Sequence, residues 1–214
     1  MFLTKILEEQ NSKYNGSIRV VKTFGSDAYI QANGLTQSGG IVETIWKQTL
    51  KKVKKTKQNI NTCLILGLGG GTVAKLVRKN WPKVKITGVD IDPIMTNLGS
   101  RYLDLDSQKV DIKIMDAFDY LNRNKNKKYD LIIADLYNGD KFPEKFATKH
   151  YIQLAGSLLS EEGMIVFNRL YFGSRYSYSD KKSGLGDFEE NLQKVFTKVD
   201  RFHPVSNIMF LCLK

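Results

Sequence analysis

The rhythm of apolar and polar positions changes near residue 58. Before it, SIRVVKTF and DAYIQANG alternate apolar with polar residues on either side of a Gly25-Ser26-Asp27 turn, and Asn33-Gly34 adds a second turn signal. Period-two alternation broken by such dipeptides predicts a small N-terminal β-hairpin. Ile41 to Val53 then follows the three-and-four spacing of a helix. After residue 58, apolar strand-like runs alternate with helical patterns: NTCLILGL, TVAKLVRKN, VKITGVDI, PIMTNLGSRYL, VDIKIMD, AFDYLNRN, YDLIIADL, KFATKHYIQLAGSLLS, MIVFNRL and FEENLQKVFTKV. Pro93 suits a first helical position. Thr72 is a candidate helix cap, and Glu162-Gly163 is expected to stop the helix that starts near Lys145.

Such alternation predicts a parallel sheet covered by helices on both faces. The two last strands, around Pro204, are too close in sequence for a crossover helix and must pair antiparallel. The expected architecture is therefore α/β: a doubly wound, mostly parallel seven-stranded sheet with a small N-terminal β-hairpin. Residues 1–57 would form the hairpin and helix, and 58–214 a cofactor-binding domain. The tyrosine- and glycine-rich stretch from Tyr171 to Asp187 reads as a loop that covers the site.

Composition narrows the function classes. The 214 residues are 42% hydrophobic and 26% charged, as in ordinary globular proteins. No apolar run approaches the roughly 18 residues of a membrane span. The start, MFLTKILEEQ, lacks the apolar core of a secretory signal, so a cytoplasmic location is expected. Two cysteines, Cys63 and Cys212, lie in strand-like runs and read as buried small hydrophobes. With only two histidines besides, no metal site is expected. The net charge of +11 admits an anionic partner. Its densest tract, Lys47 to Asn59, reads more plainly as a solvated helix end, which leaves nucleic acid a minority reading.

Candidate chemistry gathers at strand ends, where open α/β sheets bind ligands. Gly67-Leu68-Gly69-Gly70-Gly71-Thr72 follows a buried strand and opens a helix. Glycines let the backbone approach a ligand, and the helix start offers free N–H groups. Asp90, followed by Ile91, lies about 20 residues further on, where a carboxylate grips ribose hydroxyls. Asp116-Ala117 ends the next strand; a carboxylate there can accept from an adenine amino group or cap the following helix. A dinucleotide site wants a third glycine where Thr72 stands. The whole arrangement resembles the class I S-adenosylmethionine-dependent methyltransferases, which implies a Rossmann-like methyltransferase fold, with Gly67, Gly69, Gly70, Gly71, Asp90, Ile91, Asp116 and Ala117 around the cofactor.

Asn33-Gly34, Gln37 and the run YDLIIADLYNGDKFPEKFATKHYIQ resemble the spermidine synthase branch of that superfamily. The resemblance implies that Asp135 is the catalytic carboxylate acting on the attacking amine, and Tyr137 is placed to assist. At a strand end facing the crevice, Asp135 can position a nucleophile and take its proton. The chain also departs from the branch. Gly70 stands where the branch carries an aspartate for the aminopropyl ammonium, a loss of about 1.5–3 kcal/mol for one charge-assisted hydrogen bond. Trp46-Lys47-Gln48 replaces a Tyr-His/Gln-Glu triplet, and a lysine beside a diammonium acceptor would cost about 1–4 kcal/mol. The second aspartate of D-S-S-D-P is displaced to Asp140.

These departures favour methylation of a small molecule from S-adenosylmethionine. The alternative is aminopropyl transfer from decarboxylated S-adenosylmethionine, that is, polyamine synthesis. A nucleic-acid methylase and a binding protein without catalysis are further readings; Asp-Leu-Tyr-Asn after the fourth strand lacks the motif of amino-methylating nucleic-acid enzymes. The exposed N-terminal hairpin is consistent with a homodimer.

Overall fold

The computed structural model describes residues 4–139, 141–170 and 184–214. Most of the expected covering loop, and Asp140, lie outside these. Four antiparallel strands come first: β1 (Thr4–Ser12), β2 (Gly16–Thr23), β3 (Tyr29–Ala32) and β4 (Leu35–Ser38). The hairpin expectation is thus enlarged to a four-stranded sheet. β1 escaped the sequence pattern because only its last residue, Ser12, is buried, so no apolar face alternates along it. Helix α1 (Gly40–Thr56) follows.

The large sheet is built from β5 (Thr62–Leu66), β6 (Lys85–Asp90), β7 (Asp111–Ile114), β8 (Tyr129–Ala134), β9 (Leu159–Leu170), β10 (Lys198–Phe202) and β11 (Asn207–Leu213). Its spatial order is β10-β11-β9-β8-β5-β6-β7. β11 runs antiparallel to both β9 and β10, as the short connection required. The strands β5 to β9 pair parallel. Chain order reverses between β5 and its neighbour β8, which makes the space above their carboxyl ends the switch-point crevice of an α/β sheet.

The covering helices are α2 (Thr72–Asn80), α3 (Pro93–Tyr102), α4 (Ala117–Arg123), α5 (Lys149–Ser157) and α6 (Leu185–Gln193). Alternate residues of each central strand face opposite cores. Leu64, Leu66, Ile132, Ile165 and Phe210 pack with α4, α5 and α6. Cys63, Ile65, Leu131, Ile133 and Val166 pack with α1 and α2. In packing terms α1 therefore belongs with the large sheet. A third core joins Ile18, Val20, Ile30 and Ala32 of the small sheet to Met95 and Leu98 of α3. The two sheets are also tied by a buried polar knot: Asp92 accepts from the Ser12 hydroxyl and from the Asn15 amide (2.7 Å), and caps α3 at Ile94 (3.0 Å).

One expected helix is two. A single 3-10 turn, Glu144–Ala147, precedes α5, and Thr148 between them is extended (φ −70°, ψ 144°). Thr148 Oγ1 accepts from the Tyr151 N–H and starts a new helix. Glu162-Gly163 does not stop that helix, which ends at Ser157; both residues lie within β9, where the pairing with β8 shifts register.

Candidate active site

The glycine turn is shaped by how closely two strand ends approach. Gly67 sits at φ +86°, and a Cβ there would lie 1.9 Å from the Asp135 carbonyl oxygen. No other residue fits, because that contact is with backbone. The N–H groups of Gly67 and Leu68 both donate to the Val89 carbonyl (2.9 and 3.0 Å), and the Asp135 N–H donates to Leu66 (2.8 Å). The ends of β5, β6 and β8 are thereby locked together. Thr72 is not the cap of α2: Gly71 holds that position, and Thr72 Oγ1 instead accepts from the Gly39 N–H (2.7 Å). The small sheet's exit is thus fastened to the turn, and the Gly70 N–H donates to Ser38 Oγ (2.8 Å).

Above this junction lies a cavity of about 320 Å³, at the lower end of the range for small-molecule sites. Over β5, β6 and β7 its wall includes Gly67, Gly69, Asp90, Ile91, Asp116 and Ala117, all expected at the cofactor. Gly70 and Gly71 lie outside it. A Cβ on Gly70 would point into Ile30 and Leu103, 2.8 and 2.9 Å away, and one on Gly71 into Leu105. In this backbone these two glycines serve packing. A side chain at position 70 would start towards Ile30 and Leu103.

The two acidic residues on this side are already engaged by the protein. Asp90 accepts from the Gly69 N–H (2.7 Å) and from the Asp92 N–H (2.8 Å). Burial pushes its carboxyl up to about 6, against the pull of those N–H groups. Asp116 caps α4 by accepting from Phe118 N–H (2.8 Å), and its second oxygen pairs with Lys145. The expected cap is thus formed, by a side chain that also lines the cavity.

Over β8, β9 and β11 the central group is Asp135. One of its oxygens accepts from the Trp46 indole N–H (3.0 Å) and the other from the Asn168 amide (2.7 Å). Asn168 accepts in turn from Asn207 (2.7 Å). Burial raises the Asp135 carboxyl, and the Asn168 and Trp46 donors oppose the rise. Tyr137 lines the same cavity, but its hydroxyl accepts from the Leu170 N–H (2.6 Å), and burial raises its phenol. That anchors Tyr137 to the end of β9. The following loop is held from the small sheet: Gln37 donates to the Gly139 carbonyl (3.0 Å), and the Gly139 N–H donates to Asn15 (3.1 Å).

Lys47 corrects the sequence expectation. It is 55% exposed, pairs with Glu43 (2.7 Å) and faces a groove lined by Lys51, Lys54, Lys55 and Lys79 on the outer side of α1 and α2. It does not line the cavity. Trp46, one residue earlier, does. Sequence reading noted Trp46 only as a departure, and passed over Asn168 and Asn207. A polar residue closing the apolar run MIVF of β9 was the available signal for Asn168.

Residues 43–202 match the family model described as "Spermine/spermidine synthase domain". The chain is 32% identical over 174 residues to a polyamine aminopropyltransferase of Hyperthermus butylicus, covering 76% of this chain and 59% of that one. It is 32% identical over 130 residues to a Vibrio vulnificus polyamine aminopropyltransferase, covering 58% of this chain and 44% of that one. An eEF1A lysine and N-terminal methyltransferase of Mus musculus is 28% identical over 117 residues, 50% of this chain and 17% of that one. The chain thus spans less than two thirds of the length of these relatives. A crystal structure of a probable spermidine synthase from Corynebacterium glutamicum superposes with a TM-score of 0.80 at 19% identity, over 98% of this chain and 80% of that one, a likeness of fold. With its mostly parallel sheet, its glycine turn and a family match spanning the core of the cavity, this chain belongs to the spermine/spermidine synthase family.

Proposed function

We propose that this chain alkylates an amine, transferring an aminopropyl group from decarboxylated S-adenosylmethionine. The observation that carries this reading is the charge of the acceptor half. Among the described residues lining it, Asp135 is the one charged group, and the lysine that would have opposed a cationic amine points away. A carboxylate kept ionised by two donors suits an ammonium, whose charge it balances and whose proton it can take.

The glycine cradle and the carboxylates Asp90 and Asp116 fit an adenosine-bearing donor. Gly67 leaves room only for backbone, and the two carboxylates stand at neighbouring strand ends facing the same cavity. Such a donor, when bound, supplies a sulfonium-activated carbon. Asp135 binds the acceptor ammonium and takes its proton, so that nitrogen attacks with a free electron pair. The C–N bond forms as the C–S bond breaks, and that bond's electron pair leaves on sulfur in 5′-methylthioadenosine. Trp46 and Asn168 keep the carboxylate aimed.

Three relatives at 32% identity carry aminopropyltransferase names, one of them over 76% of this chain, and support this choice over methyl transfer, whose named relatives are 27–31% identical over 49–56% of it. The test is an assay of the purified chain with each sulfonium donor and a panel of amines. Release of 5′-methylthioadenosine from the decarboxylated donor is expected. Formation of S-adenosylhomocysteine from S-adenosylmethionine instead would establish methyl transfer.

A further inference from the structure

Asn168 and Asn207 stand on neighbouring antiparallel strands. Asn168 of β9 pairs with Met209, and Asn207 of β11 pairs with Leu170, so the two side chains are diagonal neighbours on one face of the sheet. Both are buried, and both line the cavity that Asp135 lines. A buried amide needs a partner for each of its ends, and these two supply one another. The Asn207 N–H donates to Asn168 Oδ1 (2.7 Å), and the Asn168 N–H donates to Asp135 (2.7 Å). Behind them the Ser206 hydroxyl donates to Asn207 Oδ1 (3.3 Å). Every donor in this row points towards the carboxylate.

The direction matters because an amide has two ends of nearly the same shape, one that donates and one that accepts. Against ionised Asp135 the donor end of Asn168 faces the carboxylate whatever lies behind it, since a carbonyl there would set two acceptors together. Against protonated Asp135 the choice opens. The acid then carries an O–H, and a flipped Asn168 would accept from it and hold the proton in place. Asn207 closes that option. With its own N–H on Asn168 Oδ1, a flip would turn two buried N–H groups against each other and leave both without an acceptor.

Resting on the reading that Asp135 takes the proton of the acceptor amine, we propose that Asn207 is a positioning residue of the reaction: it keeps the donor end of Asn168 on Asp135 in both protonation states, so that the acid sheds its proton between turnovers. It acts through Asn168. The other titratable groups of the described cavity wall are Tyr137, Asp90, Asp116 and Lys145, so the test needs a reporter specific to Asp135. Trp46 is one. Its indole N–H donates to Asp135 (3.0 Å), whereas the chain's second tryptophan, Trp81, donates to the Gln58 carbonyl (2.8 Å).

The Trp46 indole resonance, followed by nitrogen–proton NMR across pH, reports the ionisation of Asp135, with Trp81 as reference. Asp135→Asn identifies the step by abolishing it. Asn207→Leu should move that step to higher pH by about half a unit to one unit, the worth of one neutral hydrogen bond. In an Asn168→Leu background it should add nothing, because the residue it acts through is gone. Asn207→Ala removes the same donor without adding bulk, and takes the place of the leucine variant if that chain does not fold. A step that stays in place whatever the fall in Tm, a step seen in neither chain, or an equal shift with Asn168 already removed overturns the proposal. With the decarboxylated donor and an accepted amine, the acid limb of kcat/KM should move upward by the same amount. A shifted indole step in a chain that transfers to no amine upholds the positioning role and sinks the alkylation reading alone.

Discussion

Asp135 sits between two donors that cannot accept a proton, the Trp46 indole and the Asn168 amide. Both stabilise its ionised form against the burial that raises it. Asp135→Asn keeps the shape and removes the base, so the turnover number should fall about 10²- to 10⁴-fold, while calorimetric affinity for 5′-methylthioadenosine holds. Trp46→Phe removes one donor and leaves the carboxylate. Its pKa should then climb further, and the acid limb of the kcat/KM profile should move to higher pH; a limb that stays in place means the indole is only packing. Asp90 gives a second pH effect, on the donor side. Ribose hydroxyls donate to a carboxylate, so ligand binding requires its ionised form. With the free carboxyl at about 6, affinity for 5′-methylthioadenosine should be flat above that pH and decline below it, by up to about tenfold per unit. The sign for folding is opposite. A raised carboxyl is best tolerated protonated, so its contribution to the stability of the free chain is present at low pH and lost as pH rises through about 6.

The glycine turn shows what at the scale of elements was legible and what was not. Glycines between an apolar run and a helix announced β5 and α2, because few other uses of such a sequence exist. Which glycine does what was not legible, since it depends on Asp135, Leu103 and Ile30, all distant in sequence. Gly67→Ala must push against backbone at positive φ, whereas Gly70→Ala meets the ends of flexible side chains. Gly70→Ala should therefore cost about 1–3 kcal/mol of overpacking and still bind 5′-methylthioadenosine, with a modest fall in Tm. Gly67→Ala should lose more and separate the ends of β5 and β8; equal Tm values for the two would contradict the close approach described above. β1 was invisible for a related reason. Its partners are β2 by hydrogen bonding and α3 by side chains such as Glu8, which meets Arg101 (2.7 Å) and Tyr102 (2.8 Å). Those long-range polar pairs leave no apolar period to read. Lys47 was misplaced because a triplet compared by position carries no phase: on a helix, Trp46 and Lys47 point about 100° apart, one into the cavity and one into solvent.

Charge at the scale of the whole molecule sets the approach of a cationic acceptor. The chain carries +11, and the outer groove of α1 and α2 gathers Lys47, Lys51, Lys54, Lys55 and Lys79. The cavity, by contrast, is lined by Asp90, Asp116 and Asp135, with Lys145 paired to Asp116. On the proposed amine-alkylation reading, the basic exterior repels an ammonium and the cavity attracts it. The two respond differently to salt. The outer field acts across solvent and is screened, because the Debye length shrinks from about 30 Å at 0.01 M to about 8 Å at 0.15 M. Asp135 acts within a few ångströms inside the cavity, where ions penetrate little. Raising ionic strength over that range, at saturating donor, should therefore increase kcat/KM for a cationic amine several-fold, while the affinity of uncharged 5′-methylthioadenosine stays constant. A fall with salt would mean that the acid-lined cavity steers the amine from a distance and that the basic exterior is too dispersed to oppose it. Repeating the measurement with Lys47, Lys51 and Lys55 changed to glutamine separates the two contributions. The low-salt rate should rise towards the high-salt one if the groove supplies the barrier, because removing its charge does locally what salt does everywhere.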